Sequence, residues 1–419
     1  MDINKEMLEQ INKYGVSVII GARNEYPQIA LTIGSLIEDM HNSGITKWEI
    51  ILQDNGSTDE TSRFFAWKPI SKGDRAEYNY LGGRWNYVYS PRGLVYEGRL
   101  RIFFDPIMSN VGTRNKGVIH SRFRYIIFSD AHITVRPGTV YSVVETLIKF
   151  GGIVHAPISW LGASPDNPEP GYQYSYKVGE KIWGVWNKIK VADTPFFIPL
   201  CGHAFMGVIK EQFLEYRGYP YHQRVYGGGE PYLDTKYWMV GSHSMMDPRA
   251  LVYHLSAGRG YNWNNDDLIY NMLLVSYVLG GEEWIDRIYI TYMNKGGTNK
   301  DYLTFIYEQA KRDGQEDKNW LDEHKVMTFE QLLGLDKERL DLPQEELIKH
   351  DWYCMKCTKR GHEEPHVMRE WDRKNDELHG NHRSYVVEFR LRKDNNGNVF
   401  IGNTPITDED ALKVASKYL

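Results

Sequence analysis

Over the first 150 residues, short apolar runs alternate with stretches whose apolar residues recur every three or four positions. Val16-Ser17-Val18-Ile19-Ile20, Trp48-Glu49-Ile50-Ile51-Leu52 and Tyr125-Ile126-Ile127-Phe128 read as buried strands. Ile29, Leu31, Ile33, Leu36 and Ile37 follow the spacing of an amphipathic helix, and Gly112 to Gly117 open a second, shorter one. Alternating strands and helices predict an α/β chain, a mostly parallel sheet flanked by helices. Such sheets bind ligands beyond the carboxyl ends of their strands. Each of the three strands ends in a polar cluster: Arg23-Asn24-Glu25 following Ala22, then Asp54-Asn55, then Asp130-Ala131-His132. Core packing alone does not produce that coincidence. Residues i and i+2 of an extended segment point to one side, so Asp130 and His132 can approach one ligand together. An oxygen and a nitrogen offered this way suit a borderline cation such as Mn²⁺. Gln53 to Asp59 is rich in good N-cap residues and predicts a helix start.

Between 151 and 300 the pattern weakens. Trp160, Trp183 and Trp186 lie in a long stretch that suits a lid or an acceptor-binding insertion. Cys201 to Val208 reads as a strand, and the glycines 227–229 lead into Glu230-Pro231, with the proline in the first turn of a helix. Leu233, Tyr237 and Trp238 give that helix an apolar face, and Gly241 closes it. Ala250 to His254 is a short strand ending in histidine, and Asp266 to Tyr292 is a helical pair around Gly280-Gly281. Beyond 300 the chain becomes more charged. The expected organisation is a main domain over 1–300, a helical linker over 301–350 and a separate small α+β module over 351–419. In that module Cys354, Cys357, His362 and His366 offer two thiolates and two imidazoles, enough for tetrahedral zinc. The alternative is a reduced cysteine pair beside surface histidines.

Composition narrows the classes. The formal charge of −5 gives no whole-chain basic footprint for nucleic acid. Three cysteines imply no disulfide framework and fit a reducing compartment. No basic start followed by an apolar core opens the chain, and no apolar run reaches the roughly 20 residues that span a bilayer. A cytoplasmic protein without a transmembrane segment is expected. Aromatics are rich at 13%, with 29 tyrosines and 12 tryptophans, which suits stacking on a base or a sugar or simply an aromatic core.

The first two strands with their polar ends, from Val16 to Asn24 and from Glu49 to Asp59, resemble the opening of family 2-type glycosyltransferases of the GT-A fold. The later motifs resemble the polypeptide N-acetylgalactosaminyltransferases: Asp130-Ala131-His132 as an Asp-x-His metal motif, then Gly228-Gly229-Glu230, Trp238-Met239-Val240-Gly241, and a strand-end histidine, His254. The likeness spans about residues 14 to 262. It implies a GT-A fold and an enzyme that moves a sugar from a nucleotide-sugar donor, expected to be a UDP-sugar, to an acceptor hydroxyl. Asp130, His132 and His254 would hold Mn²⁺ or Mg²⁺ on the donor diphosphate. Asp54, with Asn55, would contact the nucleobase, and Ala22, Arg23 and Glu25 would line the donor site after the first strand. Arg114 would face the nucleotide sugar, and Glu230 the transferred sugar or the acceptor.

Each role has a plainer alternative. Arg114 could be a solvated helix start, His254 a core histidine, Asp54 an N-cap, and Glu230 a carboxylate balancing its own helix dipole. Inverting relatives usually place an aspartate directly after the glutamate; here Pro231 stands there, with Asp234 one turn on as a substitute base. The proline favours retention of anomeric configuration. For the acceptor, a protein, glycan or small molecule competes with hydroxymethylated bases of DNA. The latter, of the kind some viruses modify, is suggested by Lys356, Lys359 and Arg360 interleaved near Trp352 and Tyr353 in the Cys/His module. A catalytically inactive sugar-nucleotide-binding protein is the remaining class.

Overall fold

Val16–Ala22 is buried on both of its faces, as a strand must be when layers cover a sheet on either side. The computed structural model describes residues 3–61, 78–80, 83–85, 99–105, 109–161, 171–178, 182–188, 194–255, 263–333, 391–402 and 404–419. Val16–Ala22 lies near the middle of an eight-stranded sheet, parallel to Trp48–Asp54 on one side and to Tyr125–Ser129 on the other. Leu100–Phe104 extends the parallel set beyond Trp48–Asp54. On the other flank come Phe205–Ile209, antiparallel, then Ile153–His155, Ser244–Met246 and Phe196–Ile198.

Successive strand residues serve opposite layers. Val18, Ile20, Ile50, Leu52 and Ile127 pack with Ile29, Ile33 and Leu36 of helix Gln28–Asn42 and with Val140 and Val144 of helix Thr139–Phe150. Ile19, Ile51, Ile126 and Phe128 face the other way, towards Val111 and Val118 of helix Asn110–His120 and Leu233 and Tyr237 of helix Gly229–Met239. The two-residue period of a strand thus builds two cores from one sheet. The α/β expectation holds, with a mostly parallel central sheet.

A second sheet, in the order Ile182–Lys188, Gly171–Val178, Ile158–Trp160, Val252–His254, Ile133–Val135, stands beside the first. Trp160 and Trp183, from the stretch of weak periodicity, therefore lie on strands of this sheet. Among the described residues no helix is long and apolar enough to cross a membrane.

Two expectations change. The helix start expected over Gln53 to Asp59 is not among them: Asp54 Oδ1 accepts the Ser57 N–H at 2.8 Å, and the residues that would continue it, 62–77, lie outside the described residues. The chain from 300 to 324 is no linker, because helix Lys300–His324 buries Leu303, Ile306, Ala310 and Leu321 in the same core as helix Asn265–Gly280, while 334–350 lie outside the described residues. Nor are the final residues a separate module, since Val399, Ile401, Ile406, Ala411 and Ala415 join that core too. Tyr418 Oη donates to the buried Asp286 at 2.7 Å and pins the tail. Cys354, Cys357, His362 and His366 lie outside the described residues.

Candidate active site

Asp130 and His132 do converge, but not through strand alternation. Strand Tyr125–Ser129 ends, the chain turns through 130–132, and Ile133–Val135 begins in the second sheet. Thr32, on the helix beneath, holds this turn. Its Oγ1 lies 2.9 Å and 2.8 Å from the carbonyls of Ala131 and Ile133 and accepts the Ile133 N–H at 3.0 Å. Asp130 N–H donates to the Ala204 carbonyl at 2.8 Å. His254 arrives from the neighbouring strand, in register opposite Ile133, and Leu255 N–H donates to the His132 carbonyl at 3.0 Å.

One ligand atom from each of Asp130, His132 and His254 lies within 4.8 Å of the other two. His254 Nε2 is 3.3 Å from Asp130 Oδ2, and the two imidazoles stand nearly perpendicular, at 80°. His132 Nδ1 meets Glu25 Oε2 at 3.0 Å, which leaves Nε2 facing the cluster. A carboxylate behind a ligand imidazole fixes its tautomer and raises its basicity. Burial pushes the Asp130 carboxyl up, but the His254 hydrogen bond and the Arg114 charge outweigh it and hold it well below the usual carboxylate range. An ionised oxygen and two imidazole nitrogens fit a divalent cation of the Mn²⁺ or Zn²⁺ kind.

These residues line a cavity of about 650 Å³. Ala22, Arg23, Glu25 and Asn55 form one wall, and Arg114, Glu230, Trp160 and Trp183 also line the cavity. The loops after the first two strands are joined: Arg23 Nη1 donates to the Asn55 carbonyl at 2.5 Å, and Asn24 Oδ1 accepts the Thr58 N–H at 2.8 Å. Asp54 sits just behind this wall, one oxygen occupied by Ser57 and the other, Oδ2, buried without a hydrogen-bond partner among the described residues.

Arg114 projects from helix Asn110–His120, which Ser109 caps by accepting the Gly112 N–H at 3.0 Å. Its Nη2 reaches the His203 carbonyl at 2.8 Å and Asp130 Oδ1 at 3.3 Å, and its Nη1 the Tyr219 hydroxyl at 3.4 Å. Burial disfavours its charge, yet the Tyr219 and Asp130 partners more than offset this. Glu230 begins helix Gly229–Met239; burial pushes its carboxyl up against the opposing Arg114 charge. Gly228 before it has φ +80°, a left-handed turn that a side chain would strain.

Asp234 is not placed to take a proton from an acceptor. It is fully buried, and its two oxygens accept from His155 Nε2 and His203 Nε2, each at 2.8 Å. His155, His203, Tyr219 and Thr32 had no sequence signal of their own.

Residues 17–66 match the family model described as glycosyl transferase family 2. A Drosophila melanogaster protein provisionally assigned as polypeptide N-acetylgalactosaminyltransferase 13 is 23% identical over 258 residues, covering 57% of this chain and 41% of its own. This chain thus spans less than half the length of that relative. The crystal structure of GalNAc-T7 with UDP, GalNAc and Mn²⁺ superposes with a TM-score of 0.51 at 15% identity, over 73% of this chain and 57% of that one. With its central parallel sheet, its family 2 opening and these likenesses, the chain has the GT-A glycosyltransferase fold and resembles the polypeptide N-acetylgalactosaminyltransferases.

Proposed function

We propose that the chain is a metal-dependent glycosyltransferase that takes a sugar from a UDP-sugar and delivers it to an acceptor hydroxyl with retention. The observation that carries this reading is the meeting of Asp130, His132 and His254 in the same cavity as Arg114 and Glu230. A cation bound by that triad would act as a Lewis acid on the departing diphosphate. Arg114 donates charge-assisted hydrogen bonds towards the same oxygens, from a position its buried partners already fix. Such preorganised charge is a large contributor to lowering a barrier of this kind. Ala22, Arg23 and Asn55, with Asp54 behind them, form the nucleoside side of the cavity, while Glu230 faces the transferred sugar or the incoming hydroxyl. The UDP and the manganese are supported by the likeness to a protein solved with both. Retention is supported by Pro231 and by the sequestration of Asp234, which leave no carboxylate one step from Glu230 free to deprotonate an acceptor.

The test is release of UDP from a panel of UDP-sugars with Mn²⁺ or EDTA, water serving as acceptor. Manganese-dependent hydrolysis that His254→Ala abolishes is expected. No turnover, and no calorimetric binding of UDP with Mn²⁺, would remove the proposal.

A further inference from the structure

Behind Arg114, from His203 on the cavity wall inward, runs a chain of buried polar groups that the transfer chemistry does not itself require. Tyr219 Oη is 2.8 Å from His203 Nδ1, His203 Nε2 is 2.8 Å from Asp234 Oδ2, and Asp234 Oδ1 is 2.8 Å from His155 Nε2. Asp234 and His155 are fully buried, and His203 and Tyr219 are 2% exposed. The two imidazoles lie within 23° of parallel and each addresses a different carboxylate oxygen. The three side chains lie close enough together to hold a metal ion, but their two 2.8 Å contacts to separate carboxylate oxygens have the form of a fork of two hydrogen bonds.

We infer that Asp234 is a positioning residue, which acts through the His203 imidazole and the Tyr219 hydroxyl to fix the Arg114 guanidinium beside Asp130. The placement of the protons requires it. Burial raises the Asp234 carboxyl, but its two imidazole partners outweigh this and keep it ionised, so it only accepts. Both Nε2 atoms therefore carry hydrogen. Burial, with Arg114 and His155 nearby, overrides the pull of Asp234 and pushes His203 down to about 4, so its ring is neutral and its Nδ1 bears a lone pair. The Tyr219 hydroxyl must then donate to Nδ1, and its own lone pairs are left facing Arg114 Nη1 at 3.4 Å. Arginine has no acceptor. Were His203 protonated on Nδ1 instead, its Nε2 lone pair would face the Asp234 carboxylate at 2.8 Å, and the Tyr219 oxygen would take two donors while its own hydrogen lost this acceptor. Asp234 thus sets the tautomer, the tautomer sets the direction of the tyrosine bond, and the tyrosine holds the arginine. His203 adds a second grip through its own carbonyl, 2.8 Å from Arg114 Nη2.

The consequence for rate rests on the proposed sugar transfer; the tautomer does not, and the two are read separately. In histidine-¹⁵N-labelled protein at pH 7, long-range ¹H–¹⁵N correlations, with His203→Asn giving the assignment, should show His203 neutral and protonated on Nε2. A His203 signal of the Nδ1–H form, or of imidazolium, overturns the inference whether or not any UDP-sugar is turned over. On UDP-sugar hydrolysis, Asp234→Asn and Tyr219→Phe should each lower kcat about 10-fold with KM little changed, and the double variant should fall no further, because residues acting through one another are non-additive. Losses that multiply to about 100-fold would mean independent roles and overturn it. A tightly held metal ion that Asp234→Asn releases and His254→Ala retains would overturn it as well.

Discussion

His254 Nε2 stands 3.3 Å from Asp130 Oδ2 although 124 residues separate them in the chain. Two strands of the smaller sheet, antiparallel with His254 opposite Ile133, hold that approach. The spacing is set by backbone register, so removing one imidazole leaves the remaining ligands in place but too few. His254→Ala should weaken Mn²⁺ binding by more than the roughly 10–100-fold expected when only a supporting residue is changed. Glu25→Gln, which keeps the shape behind His132 Nδ1, should fall within that roughly 10–100-fold range. Titration calorimetry with MnCl₂ in the presence of UDP measures both; wild-type affinity in His254→Ala would contradict the assignment.

Thr32 is a core residue with a binding-site task. Its hydroxyl sits among the Ala131 and Ile133 carbonyls and the Ile133 N–H, so Thr32→Val strands buried backbone groups while preserving volume. A loss of about 1–3 kcal/mol is expected from chemical denaturation, together with weaker Mn²⁺ binding as the 130–132 turn relaxes. Thr32→Ser should restore most of both.

Gly228 has φ +80°, and a Cβ there would lie 2.7 Å from Gln223 Nε2, which donates to the Gly227 carbonyl at 3.1 Å. Gly228→Ala should destabilise by about 1–2 kcal/mol from the left-handed backbone alone. It should also weaken binding of UDP with Mn²⁺, because the glycine run lines the cavity. Unchanged melting and unchanged nucleotide affinity would show that the turn tolerates a side chain.

Lys236 is 1% exposed, its Nζ donating to the Gly218 carbonyl and lying 4.6 Å from the centre of the Tyr232 ring. Burial lowers its pKa from 10.5 to about 7, against the pull of Asp317. The folded pKa is below the unfolded one, so the unfolded chain binds more protons between those values and stability should rise with pH there. Urea midpoints of the wild type should climb from pH 7 to 9, and Lys236→Met should flatten that slope. Parallel slopes would place the charge elsewhere.

Much of the central sheet was legible because its strands are apolar on both faces and stop abruptly at charged residues, as Phe128-Ser129-Asp130 does. The metal-type triad was legible too, from residue types and order. Strand alternation was the wrong reason for its convergence, because periodicity cannot foresee that Asp130 and His132 straddle a turn between two sheets. Asp234 looked like a base because a carboxylate one turn after Glu230 is available on paper. Only the fold shows two histidines, 79 and 31 residues earlier, closing on it.

Helix Lys300–His324 packs along helix Asn265–Gly280, while the last helix, Glu409–Ala415, packs on helix Glu282–Lys295. Asn271 of helix Asn265–Gly280 holds the loop above the glycine run, its Nδ2 donating to the Tyr226 and Gly227 carbonyls at 2.8 and 3.1 Å. A polypeptide stopped at residue 300 would therefore expose the greasy back of the very helix that shapes the mouth of the cavity. Shortened versions should clump or lose nucleotide affinity, because the portion that reads as a self-sufficient catalytic half shares its core with helix Lys300–His324.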